Sequence, residues 1–203
     1  HTQLGDGTKT TRLNPVAPLG PSDFVQIAAD YNHSLGLRPD GTVWAWGGND
    51  FGQIGDGTMG AAEFRSVPTL VPGLSGVVAV RAGERFSLAL KSDGTVWAWG
   101  DNQYGQIGNG SNTAQTTPAQ VPGLSNIVAI DTGSYHCIVK RADGTYWGWG
   151  LNYYGSLGIG STAFQVTSPV AIPALTGAVS VKCATYHNFA LMPGGMLLEC
   201  GQN

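Results

Sequence analysis

The chain has 203 residues, of which 42% are hydrophobic and 11% charged, and its net charge is −3. This composition favours a folded core over intrinsic disorder, and the lack of a basic stripe argues against a nucleic-acid partner. No apolar run approaches the ~18 residues of a membrane-spanning helix, so a membrane partner is not expected either.

The chain begins with a Gly-rich segment, "QLGDGT" at residues 3–8, and continues to the first strong strand signal, "SLGLRPDGTVWAW" at residues 34–46. This second stretch predicts a strand, a tight turn and a second strand. Asp40-Gly41 at its centre indicates a type I′ hairpin turn, in which both central residues have positive φ.

The octapeptide "DGTVWAWG" at residues 40–47 organises the rest of the chain. It recurs at 93–100, as "DGTYWGWG" at 143–150, and in degenerate form as "GGMLLECG" at 194–201. Each complete copy is followed by an Asn, a Gly-rich stretch, a Pro-containing connector and a further short strand signal. The sequence therefore predicts an all-β fold, a β-propeller of four-stranded antiparallel blades with about four repeats of ~51 residues. Residues 1–203 are expected to form one domain, a single propeller or part of one.

All six tryptophans lie in the three complete octapeptides. Side chains alternate between the two faces of a strand, so Trp44 and Trp46 share one face while Val43 and Ala45 share the other. Because both faces are apolar, both must be covered, as in blades that stack around an axis. An exposed platform for sugars or a chromophore is the alternative, but exposed platforms seldom repeat so regularly inside a strand. We therefore expect the following residues to pack between blades: Trp44, Trp46, Trp97, Trp99, Trp147 and Trp149.

Taken together, these columns resemble the regulator of chromosome condensation repeat family. The resemblance is carried by residues 40–58, 82–111 and 133–161, which share several columns at one spacing, and it extends over essentially the whole chain. It implies a propeller of four-stranded blades, usually seven in this family, whereas this chain holds about four. The sparse charge and the Asn-, Gly- and Thr-rich surface are similar to those of bacterial or extracellular members.

The number of repeats does not determine how the propeller ring closes. The chain could close as a four-blade ring, pair with a second copy or a complementary fragment, or be one piece of a longer protein. An unclosed arc would expose apolar blade faces, so we expect association, either as a homodimer or with a complementary fragment.

One column before each octapeptide holds His33, Phe86, His136 and His187. Three histidines one blade apart could ring a metal, but Phe86 interrupts the column and no carboxylate accompanies it. We expect a structural role and no metal site. The cysteines at positions 137, 183 and 200 have apolar neighbours, which indicates core packing. Whether two of them form a disulfide is left open by the sequence.

The two residues before that column vary while their surroundings repeat, which is typical of recognition positions on a scaffold. In the family resembled, these loops open on one face near the axis. The predicted partner-binding residues are Tyr31, Asn32, Glu84, Arg85, Ser134, Tyr135, Thr185 and Tyr186. Plant ultraviolet-sensing members carry Trp two residues before the His; this chain has none there, so a photoreceptor role is not expected.

The function predicted from the sequence is a non-catalytic scaffold that binds an unidentified protein through loops on one face. Two alternatives remain open: a glycan-binding propeller with Tyr135, Tyr153 and Tyr186 as stacking rings, and a structural module of a larger surface protein. Glu is scarce and no Ser-His-Asp spacing is recognisable, so we expect no catalytic residues and no cofactor.

Overall fold

A computed structural model describes residues 2–203, in which fifteen β-strands form four antiparallel sheets. The first sheet contains β1 (Gln26–Asp30), β2 (His33–Leu37), β3 (Val43–Gly47) and β4 (Arg65–Leu70). The second contains β5 (Val77–Ala82), β6 (Phe86–Lys91), β7 (Val96–Gly100) and β8 (Gln115–Gln120). The third contains β9 (Ile127–Thr132), β10 (His136–Arg141), β11 (Tyr146–Leu151) and β12 (Gln165–Ala171). The fourth contains β13 (Ser180–Cys183), β14 (His187–Leu191) and β15 (Leu197–Gly201).

Every sheet is a meander in which strands that follow one another in the chain lie side by side. Within the described residues, the helical structure consists of three short 3₁₀ turns, Tyr153–Gly155, Pro173–Leu175 and Pro193–Gly195. No helix in residues 2–203 has the length and apolarity needed to cross a membrane. The predicted all-β architecture with one sheet per repeat is confirmed, and the fourth sheet has three strands.

The hairpin turns differ from the predicted type. A type I′ turn needs a positive φ at both central residues. Gly41 has a φ of 77°, but Asp40 does not have a positive φ, so the predicted type I′ turn is wrong. Instead Gly41 N–H donates to the Arg38 carbonyl at 3.0 Å, and Arg38 pairs with Thr42, which gives a three-residue loop ending in a left-handed glycine. The Asp40 carboxylate accepts hydrogen bonds from the backbone N–H and the hydroxyl of Thr42 at 3.0 and 2.6 Å, which holds this loop.

The sheets pack on one another in chain order. Strand β5 packs against β1 and β2, β9 against β5 and β6, and β13 against β9 and β10. Each interface encloses an apolar cluster; the first, for example, joins Leu35 and Ala45 of the first sheet to Val80 and Trp99 of the second. In the second and third sheets, which have a neighbour on each side, the alternating side chains of a strand therefore serve two different interfaces, as Leu88 and Ala89 of β6 do.

The second tryptophan of each octapeptide is buried between a sheet and the Gly-rich stretch of the preceding repeat. The indole N–H groups of Trp46, Trp99 and Trp149 donate to backbone carbonyls at 2.8, 3.0 and 2.8 Å. These carbonyls belong to Gln3, Gln53 and Gln106. The N-terminal Gly-rich segment thus covers the first sheet as the later Gly-rich stretches cover the second and third.

The first tryptophan of each octapeptide is only half-buried. Trp97 and Trp147 lie at the margin of the apolar cluster behind them, and each indole N–H bonds the threonine two residues earlier. Basic side chains cover their outer faces: the Arg141 guanidinium lies 4.5 Å from the Trp147 ring centroid.

The two terminal sheets each retain an apolar face. Ile27 of β1 is 74% exposed, whereas Val80 occupies the same register position in β5 and is fully buried. At the other end, Phe189 and Leu197 are exposed, while the residues in their positions in the first three sheets are buried. Faces that neighbouring sheets cover elsewhere are therefore open to solvent on the first and fourth sheets.

Candidate functional site

The varied residue pairs lie in the loops between the first two strands of each sheet. Because consecutive strands run antiparallel, the loop between the third and fourth strands lies at the same end of the sheet. That second loop carries the Gly-rich stretch, so each of the first three sheets contributes two loops to one end of the molecule, and the three-stranded fourth sheet contributes one.

Hydrogen bonds join these loops from sheet to sheet. Glu84 N–H donates to the Ser134 carbonyl at 3.0 Å, and the Ser134 hydroxyl donates to the Thr185 hydroxyl oxygen at 3.4 Å. Within the second sheet's loop, Arg85 Nε lies 3.3 Å from Glu84 Oε1. The Arg85 guanidinium also lies 6.0 Å from the Tyr31 ring centroid. Predicted residues from all four loops thus form one continuous surface.

Asn32 is the exception among the predicted binding residues. It is only 4% exposed, and its Oδ1 accepts a hydrogen bond from Gln53 Nε2 at 3.1 Å. A Cβ on Gly48 would approach the Asn32 amide at 2.6 Å, so the side chain is enclosed on that side too. Asn32 therefore orders the loop from inside, and it does not belong to the surface.

Six aromatic rings at this end contact one another in a closed cycle, with neighbouring ring centroids 4.0 to 6.2 Å apart. Tyr135 and Tyr186 are stacked, and the other contacts are edge-on or tilted. We name this cycle the aromatic loop surface; its members, in order, are Tyr104, Tyr135, Tyr186, Tyr154, Tyr153 and Phe164.

Sequence reasoning singled out three members of this surface and missed Tyr104, Tyr154 and Phe164. A signal existed for two of them, because Phe51, Tyr104 and Tyr154 occupy one aromatic column directly before the first glycine of each Gly-rich stretch. Phe164 comes from the connector before β12, where the repeats differ in length and composition. The Phe164 ring lies beside Tyr104 only because that connector folds back over it, which the sequence pattern does not reveal.

Two tyrosines at this end have left-handed backbone conformations. Tyr154 has a φ of 62° and Tyr31 a φ of 33°, and both side chains are more than half exposed. A positive φ is unfavourable for a residue with a bulky side chain, so the surrounding loop must hold it. Such strain is common at functional sites.

The surface carries few charges. Burial and hydrogen bonding with Glu84 raise the pKa of Tyr135 above its ordinary value, so its hydroxyl stays a neutral donor. Burial also raises the pKa of Asp30, to which the charge of Glu84 adds. Beside the rings lies an open cavity of about 470 Å³, lined by Asn152, Tyr153, Tyr154, Gly155, Ser161, Thr162 and Phe164. The arrangement can bind by ring stacking and by hydrogen bonds from neutral hydroxyls.

Two buried members of the histidine column, His33 and His136, connect neighbouring sheets. Ser87 Oγ donates to the Gln53 carbonyl, so the buried His33 Nε2–H donates to Ser87 Oγ at 3.0 Å. The buried His136 Nε2–H likewise donates to Asn188 Oδ1 at 2.8 Å. Burial lowers the pKa of His33 to about 4, so the ring is neutral at pH 7.

Across residues 2–203, no group of three or more His, Cys, Asp or Glu side chains has a geometry that could hold a metal ion. Within these described residues, the thiols of Cys137, Cys183 and Cys200 form no disulfide. Burial raises the pKa values of Cys137 and Cys183, so these thiols remain protonated.

Comparison with known proteins gives the family. The family model described as RCC1-like domain matches residues 1–203. The human E3 ubiquitin-protein ligase HERC2 is 38% identical over 118 residues, which cover 55% of this chain and 2% of that protein. The ultraviolet-B receptor UVR8 of Arabidopsis thaliana is 31% identical over 119 residues, covering 57% of this chain and 26% of the receptor.

Solved structures show the same fold. Human WBSCR16 superimposes with a TM-score of 0.81 at 24% identity, over 91% of this chain and 50% of that chain. Prp20p from Saccharomyces cerevisiae gives 0.80 at 21% identity, over 99% of this chain and 50% of that chain. This chain thus spans about half the length of these structures and a smaller share of the two relatives above.

Proposed function

The chain belongs to the family of RCC1-like domains, and we propose that it is a non-catalytic scaffold that binds another protein through its aromatic loop surface. The observation that carries this proposal is the closed cycle of six rings at the end where the repeats vary most. Protein binding is common among such domains. Yeast RCC1 (Prp20) has been solved bound to Kap60, and the structure of Prp20p was described together with its binding to Gsp1p and histones.

The composition of the surface supports a protein partner. Tyr and Arg are enriched among residues that dominate binding energy at protein interfaces, because they bury large areas while keeping a polar group for hydrogen bonding. Here Tyr135 and Tyr186 are stacked, and in the loop beside this surface Arg85 is held over Phe51 at 4.6 Å from guanidinium to ring centroid. Side chains already held by their neighbours lose less entropy when a partner binds.

The test starts by identifying the partner with a photo-crosslinking amino acid at position 153, compared with the same amino acid at Val128. Val128 is exposed in β9, outside the loops. The dissociation constant of the captured protein is then measured for the unmodified chain and for Tyr135→Ala, Arg85→Ala and Val128→Ala. We expect at least a tenfold loss for Tyr135→Ala and for Arg85→Ala, and no change for Val128→Ala. Unchanged affinity in the first two variants would contradict the proposal.

A glycan-binding function is the second candidate, and the stacked pair Tyr135–Tyr186 beside the exposed Tyr153 favours it. Aromatic faces with neighbouring hydroxyls can stack on sugar rings. A glycan array separates the two candidates: reproducible binding of a glycan that free sugar competes away, and that Tyr135→Ala abolishes, would favour the lectin function.

We also propose that the apolar faces of the first and fourth sheets are covered in the working protein, either by a second copy of this chain or by further blades. The exposure of Ile27 and Phe189 supports this, because the same positions are buried at every internal interface. The named relatives come from animals, plants and yeast. A bacterial or extracellular origin therefore stays a prediction from composition.

A further inference from the structure

The fourth repeat has a cysteine where the other three have a buried indole. Cys200 of β15 occupies the position of Trp46, Trp99 and Trp149 in β3, β7 and β11. All four positions are covered by the Gly-rich stretch of the repeat before them.

The surroundings of the indole are retained around Cys200. In the first three sheets one backbone carbonyl accepts the indole N–H and also a donor from the second residue of the second strand, such as Ser87 Oγ. The corresponding carbonyl, that of Ser156, accepts from the Cys200 thiol at 3.5 Å and from the Asn188 side-chain amide. The glycine that makes room for the ring is also present: a Cβ on Gly108 would lie 2.8 Å from the Trp149 ring nitrogen, and one on Gly158 would lie 2.9 Å from Cys200 Sγ.

A thiol is much smaller than an indole, and the side chains around it leave a cavity of about 280 Å³. Its lining is mostly apolar: Gly158, Ala174, Leu175, Asn188, Ala190, Leu198, Glu199 and Cys200. Leu175 and Ala190 hold the repeat positions of Leu74 and Ala89, which form one cluster with Trp99 in the second sheet. Three of its walls, Gly158, Leu175 and Ala190, therefore correspond to residues that enclose an indole elsewhere in the chain.

We propose that this cavity is a binding site for a planar aromatic ring of indole size. The ring takes the place that tryptophan fills in the other repeats, packs against Leu175 and Ala190, and presents its N–H to the Ser156 carbonyl in place of the thiol. Apolar cavities left by a missing large side chain bind small aromatic molecules, because the ring regains the packing contacts that the cavity walls lack. The ring can belong to a free indole compound or to a tryptophan side chain of a bound peptide.

The experiment measures the melting temperature of the full chain with free indole, with N-methylindole and with N-acetyl-tryptophanamide. A nine-atom ligand of this kind is expected to bind with a dissociation constant on the order of 0.1 to 1 mM. At ten times that concentration it should raise the melting temperature by about 3 to 5 °C. N-methylindole, which lacks the N–H donor, should give a smaller shift.

Cys200→Trp fills the cavity from inside the chain. It should raise the melting temperature without ligand and remove the response to indole. Leu13→Trp adds a tryptophan at a site that is 96% exposed and should respond as the unmodified chain does. If Cys200→Trp does not fold, Ala190→Leu narrows the same cavity from β14 and should weaken indole binding at least fivefold.

Stabilisation by indole and by the tryptophan amide supports a site open to a partner's side chain, and stabilisation by indole alone supports a site for the free compound. The proposal is overturned if none of the ligands stabilises the unmodified chain. It is equally overturned if the folded variant that fills or narrows the cavity responds to indole as strongly as the unmodified chain.

Discussion

At the scale of single residues, the two tryptophans of each octapeptide have different roles although they lie on one strand face. Trp99 is fully buried and bonds the Gln53 carbonyl, while Trp97 is half-buried beside Lys91. The sequence predicted packing for both and could not rank them. Their difference depends on the Gly-rich stretch of the preceding repeat, which folds back over the second ring only.

We therefore expect Trp99→Ala to lower the free energy of unfolding by about 3 to 5 kcal/mol, because it leaves a cavity and removes one of the two hydrogen bonds to the Gln53 carbonyl. Trp97→Ala, as the matched control within the same strand, should cost only about 1 to 2 kcal/mol. Urea unfolding followed by tryptophan fluorescence and circular dichroism measures both. Equal losses would mean that the covering stretch contributes little.

His33 makes stability depend on pH. Its pKa is lowered by burial to about 4 in the folded chain and is about 6.5 when unfolded, so the unfolded state binds more protons as pH falls through this window. The stability is fully present above pH 6.5 and is lost toward pH 4; His33 alone should account for about 2 kcal/mol between pH 7 and pH 5.

The variant His33→Phe tests this assignment, because Phe86 fills the same column in the second sheet and is fully buried there. Urea unfolding at pH 7 and at pH 5 should show a smaller acid-induced loss for the variant than for the unmodified chain. An identical loss would mean that another group causes the acid sensitivity. His136 is the next candidate, because burial lowers its pKa too.

At the scale of elements, the period of the octapeptide was enough to predict the strands and their antiparallel pairing. The turn type could not be read from Asp-Gly alone, because the Asp side chain bonds the threonine two residues on and so stabilises a different loop. The aromatic loop surface was half predictable: its tyrosines in repeating columns carry a signal, whereas Phe164 lies in a connector of irregular length.

Two glycines at the same hairpin position should differ in their tolerance of a side chain. Gly94 and Gly144 have φ values of 77° and 86°, so alanine is strained at both. A Cβ on Gly94 would also meet the Asn126 backbone at 3.0 Å, whereas one on Gly144 meets nothing within 4 Å. Gly144→Ala should cost about 1 to 2 kcal/mol of unfolding free energy, and Gly94→Ala more, as measured by urea unfolding. Equal costs would show that backbone strain outweighs packing between sheets at this turn.

At the scale of the whole molecule, the internal interfaces show what the terminal faces lack. The sequence predicted apolar blade faces but not how the ring closes. The number of repeats in one chain says nothing about what covers the outer faces of the first and last sheets. The structure adds which residues are exposed there, and these residues make the proposed association testable.

The unmodified chain should associate in a concentration-dependent manner, and Phe189→Lys should shift it toward the monomer. Val128→Lys is the control, because Val128 and its equivalents Val78 and Val179 are exposed and their side chains belong to none of the apolar clusters between sheets. Size-exclusion chromatography with light scattering measures the mass of each. A monomeric unmodified chain at high concentration would contradict association between copies.

The central claim is that a protein partner binds the end of the molecule formed by the aromatic loop surface. Hydrogen–deuterium exchange tests it most directly, measured on this chain alone and on its complex with the purified partner that the crosslinking experiment identifies. The account predicts that protection on binding is concentrated in the segments around Glu84, Tyr135, Tyr153 and Tyr186. Protection confined to the Asp-Gly turns at the opposite end of the sheets would contradict it.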